Sequence, residues 1–161
     1  MDKIEVLKGM WRVTSDPDAV LCANSIGSAL AVAVLDQENL CAGLIVTPFL
    51  KQSVLDSFGS EAASYVALDT GLPEMFKALL SIGAKKELLK VFLIGSAQFL
   101  SAPKQLCPGL LLYKAIKKLL EKNGVSITGE SVGGQINRNV ILSLGDGRLI
   151  VQTAIGQEVI L

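Results

Sequence analysis

Histidine is absent from this chain of 161 residues. Its absence excludes the Ser-His and Cys-His pairs of hydrolases, the usual general base near neutral pH, and the commonest zinc ligand. The chain also lacks an excess of charge, since 15 basic and 15 acidic residues cancel. No basic stripe is present that would attract nucleic acid. We therefore expect no metal, no cofactor and no nucleic-acid partner.

Long hydrophobic runs are missing as well. The longest charge-free run lies between Asp18 and Asp36 and includes polar residues. It is shorter than the roughly 20 apolar residues that a membrane helix needs. The first residues, MDKIEVLKGMW, lack the apolar region of a signal peptide. We expect a cytoplasmic protein without membrane insertion.

Cysteine is scarce: Cys22, Cys41 and Cys107 form an odd number without a CxxC spacing. Disulfides are rare in the cytosol, and free cysteine is among the most buried residue types. We expect all three to fill the core. Cys107 is the strongest candidate for a reactive thiol, because a helix start there would lower its pKa.

Half of the residues are hydrophobic, which is enough for one domain spanning residues 1–161. Short runs rich in Val, Ile and Leu, separated by Gly, Asp and Asn, predict strands. In the segment LGDGRL, Gly145 and Gly147 predict a hairpin with positive φ at both glycines. The predicted strands span residues 3–8, 10–14, 19–23, 29–35, 40–47, 88–94, 125–130, 139–144, 148–153 and 158–161.

Two segments have helical spacing of their apolar residues. The first is LPEMFKALLSIGA, in which Pro73 suits the first turn and Gly83 the end. The second runs from Pro108 to Gly124, with Leu112, Ile116, Leu119 and Leu120 as its apolar stripe. The pattern predicts an α+β domain: a layered β/α sandwich with mixed and antiparallel sheets and two main helices on one side. Residues 50–64 are the least patterned and are predicted to form a mobile loop.

A series of short motifs runs through nearly the whole chain. They are Ile26-Gly27-Ser28-Ala29, Leu40 to Pro48, Gly83-Ala84, Gly95-Ser96-Ala97, Gly109 to Leu120, Gly133-Gly134 with Arg138, and the Asp146-Gly147 turn. Their order and separations resemble the CheD family, the chemoreceptor glutamine deamidases of bacterial chemotaxis. That family begins one strand with Leu-Gly-Ser-Cys and follows it with a glycine-rich strand of the form Gly-Gly-x-Ala-His-x-Met-Leu-Pro.

The resemblance also implies which catalytic groups are lost. In the family the Cys attacks a receptor glutamine, releases ammonia and leaves a thioester that water hydrolyses, with a His and a Thr assisting. These positions correspond to Ala29, Leu44 and Ala23 here, and an Asn of the second helix corresponds to Leu112. A thiol near pKa 8.5 also needs a neighbouring base or cation to become nucleophilic. We expect no catalytic residues.

Other residues could carry chemistry or binding. Cys22 or Cys41 could act as a displaced nucleophile, and Ser28 could do so only with a lysine base such as Lys51 or Lys104. For each, a structural role is the stronger interpretation.

Binding candidates lie at the turn and beside the loop. We expect Gly27 and Ser28 to persist as turn residues. Arg138 could pair with a carboxylate or with a partner, but a solvated strand end is the stronger expectation. Trp11, Phe49 and Phe58 are candidate exposed aromatic residues, and the two phenylalanines flank the loop where a partner could bind.

The resulting expectation is a non-catalytic CheD-like chemotaxis domain that binds a chemoreceptor or a CheC-type phosphatase. The resemblance implies both partners, because CheC can occupy the family's cleft as a substrate mimic. One alternative is a divergent deamidase with a displaced cysteine. Another is a domain that has left chemotaxis altogether.

Overall fold

Two five-stranded sheets form the frame of the structure, a computed structural model that describes residues 2–59, 65–98 and 108–160. The first sheet has the order β1-β3-β8-β9-β10, and the second has the order β2-β5-β4-β6-β7. The strands of the described residues are β1 Asp2–Glu5, β2 Met10–Thr14, β3 Ala19–Ile26, β4 Leu30–Asp36, β5 Cys41–Thr47, β6 Lys90–Gly95, β7 Gly129–Val132, β8 Arg138–Ser143, β9 Arg148–Thr153 and β10 Gly156–Val159.

Most neighbouring strands are antiparallel, and two pairs are parallel. Strand β1 runs parallel to β3, and β6 runs parallel to β7. The hairpin predicted from LGDGRL joins β8 to β9, with Ser143 opposite Arg148. Gly147 has φ 64°, as predicted, but Gly145 does not have a positive φ. Gly145 is instead needed for space, because a Cβ there would lie 2.6 Å from the carbonyl oxygen of Pro17.

Strand β4 explains why the core has two parts. All seven of its residues are buried. Ala31, Ala33 and Leu35 face the other sheet, whereas Leu30, Val32 and Val34 face the helices. A strand covered on both faces reads as a continuous apolar run, which is how it appears in the sequence. The predicted layered α+β sandwich is confirmed.

The helices cover the outer face of the second sheet. They are α1 Gln52–Asp56, α2 Leu68–Ser81 and α3 Pro108–Lys122, with a 3-10 turn at Lys86–Leu88. Leu72, Met75 and Leu79 of α2 pack with Leu112 and Ile116 of α3 in the same apolar cluster. Both main helices therefore lie on one side, as the helical periodicity predicted.

Two local predictions were wrong. Pro73 lies inside α2 rather than in its first turn, because the helix begins at Leu68. Within the segment predicted to be a loop, residues 52–56 are helical. Contacts with residues far along the chain stabilise that short helix: the Gln52 N–H donates to Asp69 at 2.9 Å, and the Ala67 N–H donates to the Gln52 side chain at 2.8 Å. Residues 60–64 lie outside the described residues.

Candidate functional site

The three positions that the CheD resemblance assigns to catalysis lie in the core between the sheets. Ala23 is in β3, Leu44 is in β5, and Ala29 directly precedes β4. Their exposed fractions are 1%, 0% and 3%, and all three belong to one apolar cluster. No side-chain atom at these positions can attack a carbonyl or transfer a proton.

Three loops meet beside Ala29 through backbone hydrogen bonds. The Ser96 N–H donates to the Ala29 carbonyl at 2.8 Å, and the Ala97 N–H donates to the Gly27 carbonyl at 3.0 Å. A third loop joins through the Gly133 N–H, which donates to Gly95 at 2.9 Å. We call residues 27–29, 95–98 and 133–134 the loop cluster. Three of the motifs quoted from the sequence therefore meet in one place, although they are far apart along the chain.

Backbone conformation in the loop cluster is unusual at Gly95 and Ser96. Gly95 has φ 111° and Ser96 has φ 50°. A Cβ at Gly95 would collide with the Ala29 carbonyl oxygen. Among the described residues, the Ser96 hydroxyl is the one buried side-chain oxygen or nitrogen without a hydrogen-bond partner. Buried polar groups are normally paired, so this hydroxyl is an exception in the fold.

Arg138 anchors the loop cluster from β8. Its Nε donates to the Ser131 hydroxyl at 3.1 Å, and its Nη1 donates to the carbonyls of Gly95 and Gly133 at 3.2 and 2.9 Å. The residue is 5% exposed, so the expectation of a solvated strand end was wrong. The long side chain turns inward because two loop carbonyls there need donors. Burial lowers the pKa of Arg138 from its usual value, and the charge of Glu158 partly offsets this.

The described cysteines are buried, as predicted. Cys41 belongs to the cluster beneath the helices, whereas Leu44 on the same strand faces the other sheet. Leu21 and Ala23 face the core between the sheets, and Cys22, between them in β3, is not part of that cluster. Burial raises the pKa of both thiols. Cys107 and Lys104 lie outside the described residues.

Two of the aromatic candidates differ from expectation. Phe58 is 64% exposed, but Phe49 is partly buried against Leu55 and Ala67. Trp11 is also partly buried, against the cluster beneath the helices. Two further exposed residues, Leu7 and Tyr65, were not identified as binding candidates from their pattern; both lie in connections between regular elements.

Two other features, a metal-binding cluster and a membrane-spanning helix, are absent from the part of the chain that the structure describes. The described residues contain no group of three or more His, Cys, Asp or Glu side chains that could hold a metal ion. None of their helices is both long and apolar enough to cross a membrane.

Two sheets packed face to face, one outer layer of helices and a glycine-rich loop cluster define an α+β sandwich domain. The chain belongs to the CheD family: the family described as CheD chemotactic sensory transduction matches residues 53–153. Three relatives are named as probable chemoreceptor glutamine deamidases. They come from Solibacter usitatus (30% identity over 94% of this chain and 89% of the relative), Syntrophus aciditrophicus (32%, 91% and 91%) and Haloarcula marismortui (29%, 95% and 86%).

Similarity to solved structures is more distant. The crystal structure of the Neisseria meningitidis protein NMB0706 aligns with 84% of this chain and 63% of its own, at a TM-score of 0.47 and 10% identity. This likeness is too weak to carry a functional inference.

Proposed function

We propose that this chain is a CheD-family chemotaxis domain that does not deamidate glutamine and acts in the cytoplasm by binding a protein partner, either a chemoreceptor or a CheC-type phosphatase. One observation carries the proposal: the side chains of Ala23, Ala29 and Leu44 fill the core between the sheets. Amide hydrolysis of the family's kind needs a nucleophile and a group that transfers protons. Neither is supplied at these positions.

The same burial argues that the partner binds elsewhere than at these positions. A glutamine side chain cannot reach Ala29 or Leu44 without displacing core residues, which would cost several kcal/mol. The apolar replacements also leave no buried polar group in need of a partner there. Gly27 and Ser28 remain in the loop cluster, where the Gly27 carbonyl accepts a hydrogen bond from Ala97. This contact supports a role for Gly27 in shaping the turn, and we propose the same role for the adjacent Ser28.

An exposed apolar surface near α1 is the candidate for partner binding. It consists of Leu7, Val54, Phe58 and Tyr65, which we call the aromatic surface. Val54 lies in α1 and Phe58 lies two residues after the end of that helix, and the Gln52 side chain donates to the Tyr65 carbonyl at 3.4 Å. Tyr65 also lies against Gly9, near Leu7. Phe49 packs beneath α1 against Leu55 and so supports the surface. Exposed aromatic side chains are typical anchors of protein interfaces.

Ammonia release from purified chemoreceptors tests the absence of catalysis. We expect the purified chain to release no more ammonia than receptor alone, whereas an active CheD protein in the same assay releases it. Turnover that a single change of Cys22, Cys41 or Cys107 to Ser abolishes would overturn the proposal. The names of the relatives favour this enzymatic alternative, and the burial of Cys22 and Cys41 opposes it.

Pull-downs with a purified chemoreceptor cytoplasmic domain and a purified CheC-type phosphatase test the binding surface. We expect Phe58→Ala to reduce capture of one of them by about tenfold or more, as at interface anchors. Leu111→Ala is the matched control, because Leu111 is an exposed apolar residue on α3 outside the aromatic surface. Equal capture by the wild type and both variants would exclude the aromatic surface.

A further inference from the structure

A polar pocket opens beside the loop cluster. It has a volume of about 300 Å³ and lies between the edge strand β7, the β9–β10 hairpin and the side chain of Arg138. Its lining combines a cation, an anion, two hydroxyls and an amide: Ser131, Arg138, Thr153, Gln157 and Glu158, with Ile155 at the hairpin turn.

The Arg138 guanidinium in this pocket is a largely buried charge that contacts no carboxylate of the described residues. Among the described residues, the guanidinium donates hydrogen bonds to one hydroxyl and two backbone carbonyls, all of which are neutral. Its third nitrogen, Nη2, makes no hydrogen bond to any described residue. Ser96 Oγ is the one fully buried polar side-chain atom lacking a partner in the described chain, so Nη2 is not fully buried, and Arg138 is one of the residues that line the pocket.

An unpaired buried cation is costly. Taking a charge out of water costs several kcal/mol unless an opposite charge or good hydrogen bonds replace the water. Burial accordingly lowers the pKa of Arg138. Glu158 lines the same pocket, yet its carboxylate makes no recorded hydrogen bond to the guanidinium, although its charge acts on Arg138. The two charged groups therefore line one pocket without a direct hydrogen bond between them.

We propose that this pocket binds a free amino acid, with its carboxylate on the open Nη2 of Arg138 and its ammonium group on Glu158. The planar guanidinium is suited to carboxylate recognition. Glu158 disfavours a plain anion but favours a ligand that also carries a positive charge. The hydroxyls of Ser131 and Thr153 and the amide of Gln157 supply further hydrogen bonds, and the volume lies at the lower end of the range for ligand sites, which suits a small ligand.

This proposal is independent of the proposed partner binding, because the pocket shares no residue with the aromatic surface. It can be tested by titrating the isotopically labelled full chain with glycine and, separately, with acetate. Backbone amide shifts in the nuclear magnetic resonance spectrum report where each probe binds. We expect glycine to shift the amides of Ser131, Thr153 and Gln157 and acetate to shift them more weakly.

Two variants and one control make the test specific. Arg138→Gln should weaken glycine binding by about tenfold or more, since it removes a charge-assisted hydrogen bond. Glu158→Gln should tighten acetate binding by up to about fivefold and weaken glycine binding, since it removes one exposed charge. Arg148→Gln is the control, because Arg148 is an exposed arginine on β9 outside the pocket lining.

Glu158→Gln is expected to tighten acetate binding and to weaken glycine binding. This pair of opposite changes keeps the proposal testable even if Arg138→Gln does not fold. Unshifted pocket amides at saturating glycine would overturn the proposal. So would equal binding by the wild type and folded Arg138→Gln, or a Glu158→Gln variant in which the two probes change in the same direction. Loss of receptor capture in the Phe58→Ala variant would support the proposed partner binding and would leave the amino-acid titration of the pocket unaffected.

Discussion

Ser96 combines two unfavourable features in one residue. Its φ of 50° lies in the left-handed region, which costs a non-glycine residue about 1–2 kcal/mol. Its hydroxyl is also buried without a partner among the described residues, a penalty of about 1–3 kcal/mol. Such local strain is tolerated where surrounding contacts enforce it, and here two backbone hydrogen bonds hold Ser96 and Ala97 against residues 27–29.

We predict that Ser96→Gly stabilises the protein by about 1 kcal/mol. Glycine removes both the strain and the unpaired hydroxyl, although its greater freedom in the unfolded chain offsets part of the gain. Ser96→Ala is the matched comparison, since it removes the hydroxyl but keeps the Cβ. Denaturant midpoints should rank the glycine variant above the alanine variant and both above the wild type. A glycine variant no more stable than the alanine variant would contradict the strain argument.

The burial of individual side chains could be predicted from the sequence at some positions and not at others. Cys22 and Cys41 were predicted to be buried because free cysteine is among the most buried residue types, and they are. Arg138 was not predicted to be buried, because its burial depends on a hydrogen bond to the Gly95 carbonyl, 43 positions away along the chain. A single sequence does not display such a contact. The family motif placed Gly95, Gly133 and Arg138 in order but not in contact.

At the scale of elements, Gly95 sets how closely β6 approaches the turn before β4. We predict that Gly95→Ala destabilises the protein by about 3 kcal/mol or more, because a Cβ would collide with the Ala29 carbonyl and φ is 111°. Gly124, after α3, also has a positive φ of 70° but open space around it. Gly124→Ala should therefore cost only about 1 kcal/mol. Thermal or urea unfolding of both variants measures the difference, and equal losses would show that the close approach does not matter.

Asp36 ties the β4–β5 hairpin to the segment that follows α2. Its carboxylate is fully buried and accepts hydrogen bonds from the Asn39 backbone at 3.0 Å, the Asn39 side chain at 2.9 Å and the Lys85 backbone at 2.9 Å. Burial alone would raise the pKa of Asp36, but the N–H groups of Lys85 and Asn39 lower it below its usual value. The folded state therefore favours the ionised carboxylate.

The direction of this pKa shift fixes the pH dependence. An aspartate with a depressed folded pKa contributes its stability above the unfolded pKa of about 4, and the contribution is lost as pH falls through the folded value. We predict that Asp36→Asn costs about 1–3 kcal/mol at pH 7 and that the difference from the wild type shrinks below about pH 4. Urea unfolding across this range, with Asp146→Asn in an exposed turn as control, measures it. A constant difference at all pH values would contradict the assignment.

Elements with local apolar periodicity could be predicted, and those held by distant contacts could not. Each predicted strand overlaps an observed one, and α3 has the predicted bounds near Pro108 and Lys122. The start of α2 was missed because Gly71 weakens the helical pattern before Pro73. The structure uses that glycine for close packing, since a Cβ there would lie 2.8 Å from Ile45 and 2.9 Å from Val66.

At the scale of the whole molecule, the layers decide which thiols can react. The second sheet lies between the first sheet and the helices, and Cys41 is enclosed in the helix-side cluster. Cys22, on β3 of the first sheet, is 2% exposed. Its thiol pKa is raised by burial, lowered by Lys3 and raised by Glu5, with a net increase. A thiol that is both buried and protonated near neutral pH is a poor nucleophile.

We predict that iodoacetamide labels Cys22 and Cys41 of the native protein at pH 7.5 only as fast as the protein opens. The thiols lie in different layers, so only cooperative unfolding of the whole domain exposes both; both rates should then rise together on addition of denaturant and match the loss of native signal. Mass spectrometry of the peptides that carry each cysteine gives the two rates separately, with an unfolded sample as the reference for full reactivity. Native-state labelling of either residue within about tenfold of that reference would mean an accessible thiolate. It would favour the displaced-nucleophile enzyme over the binding domain, because buried protonated sulfur cannot attack a glutamine amide whereas an accessible thiolate can.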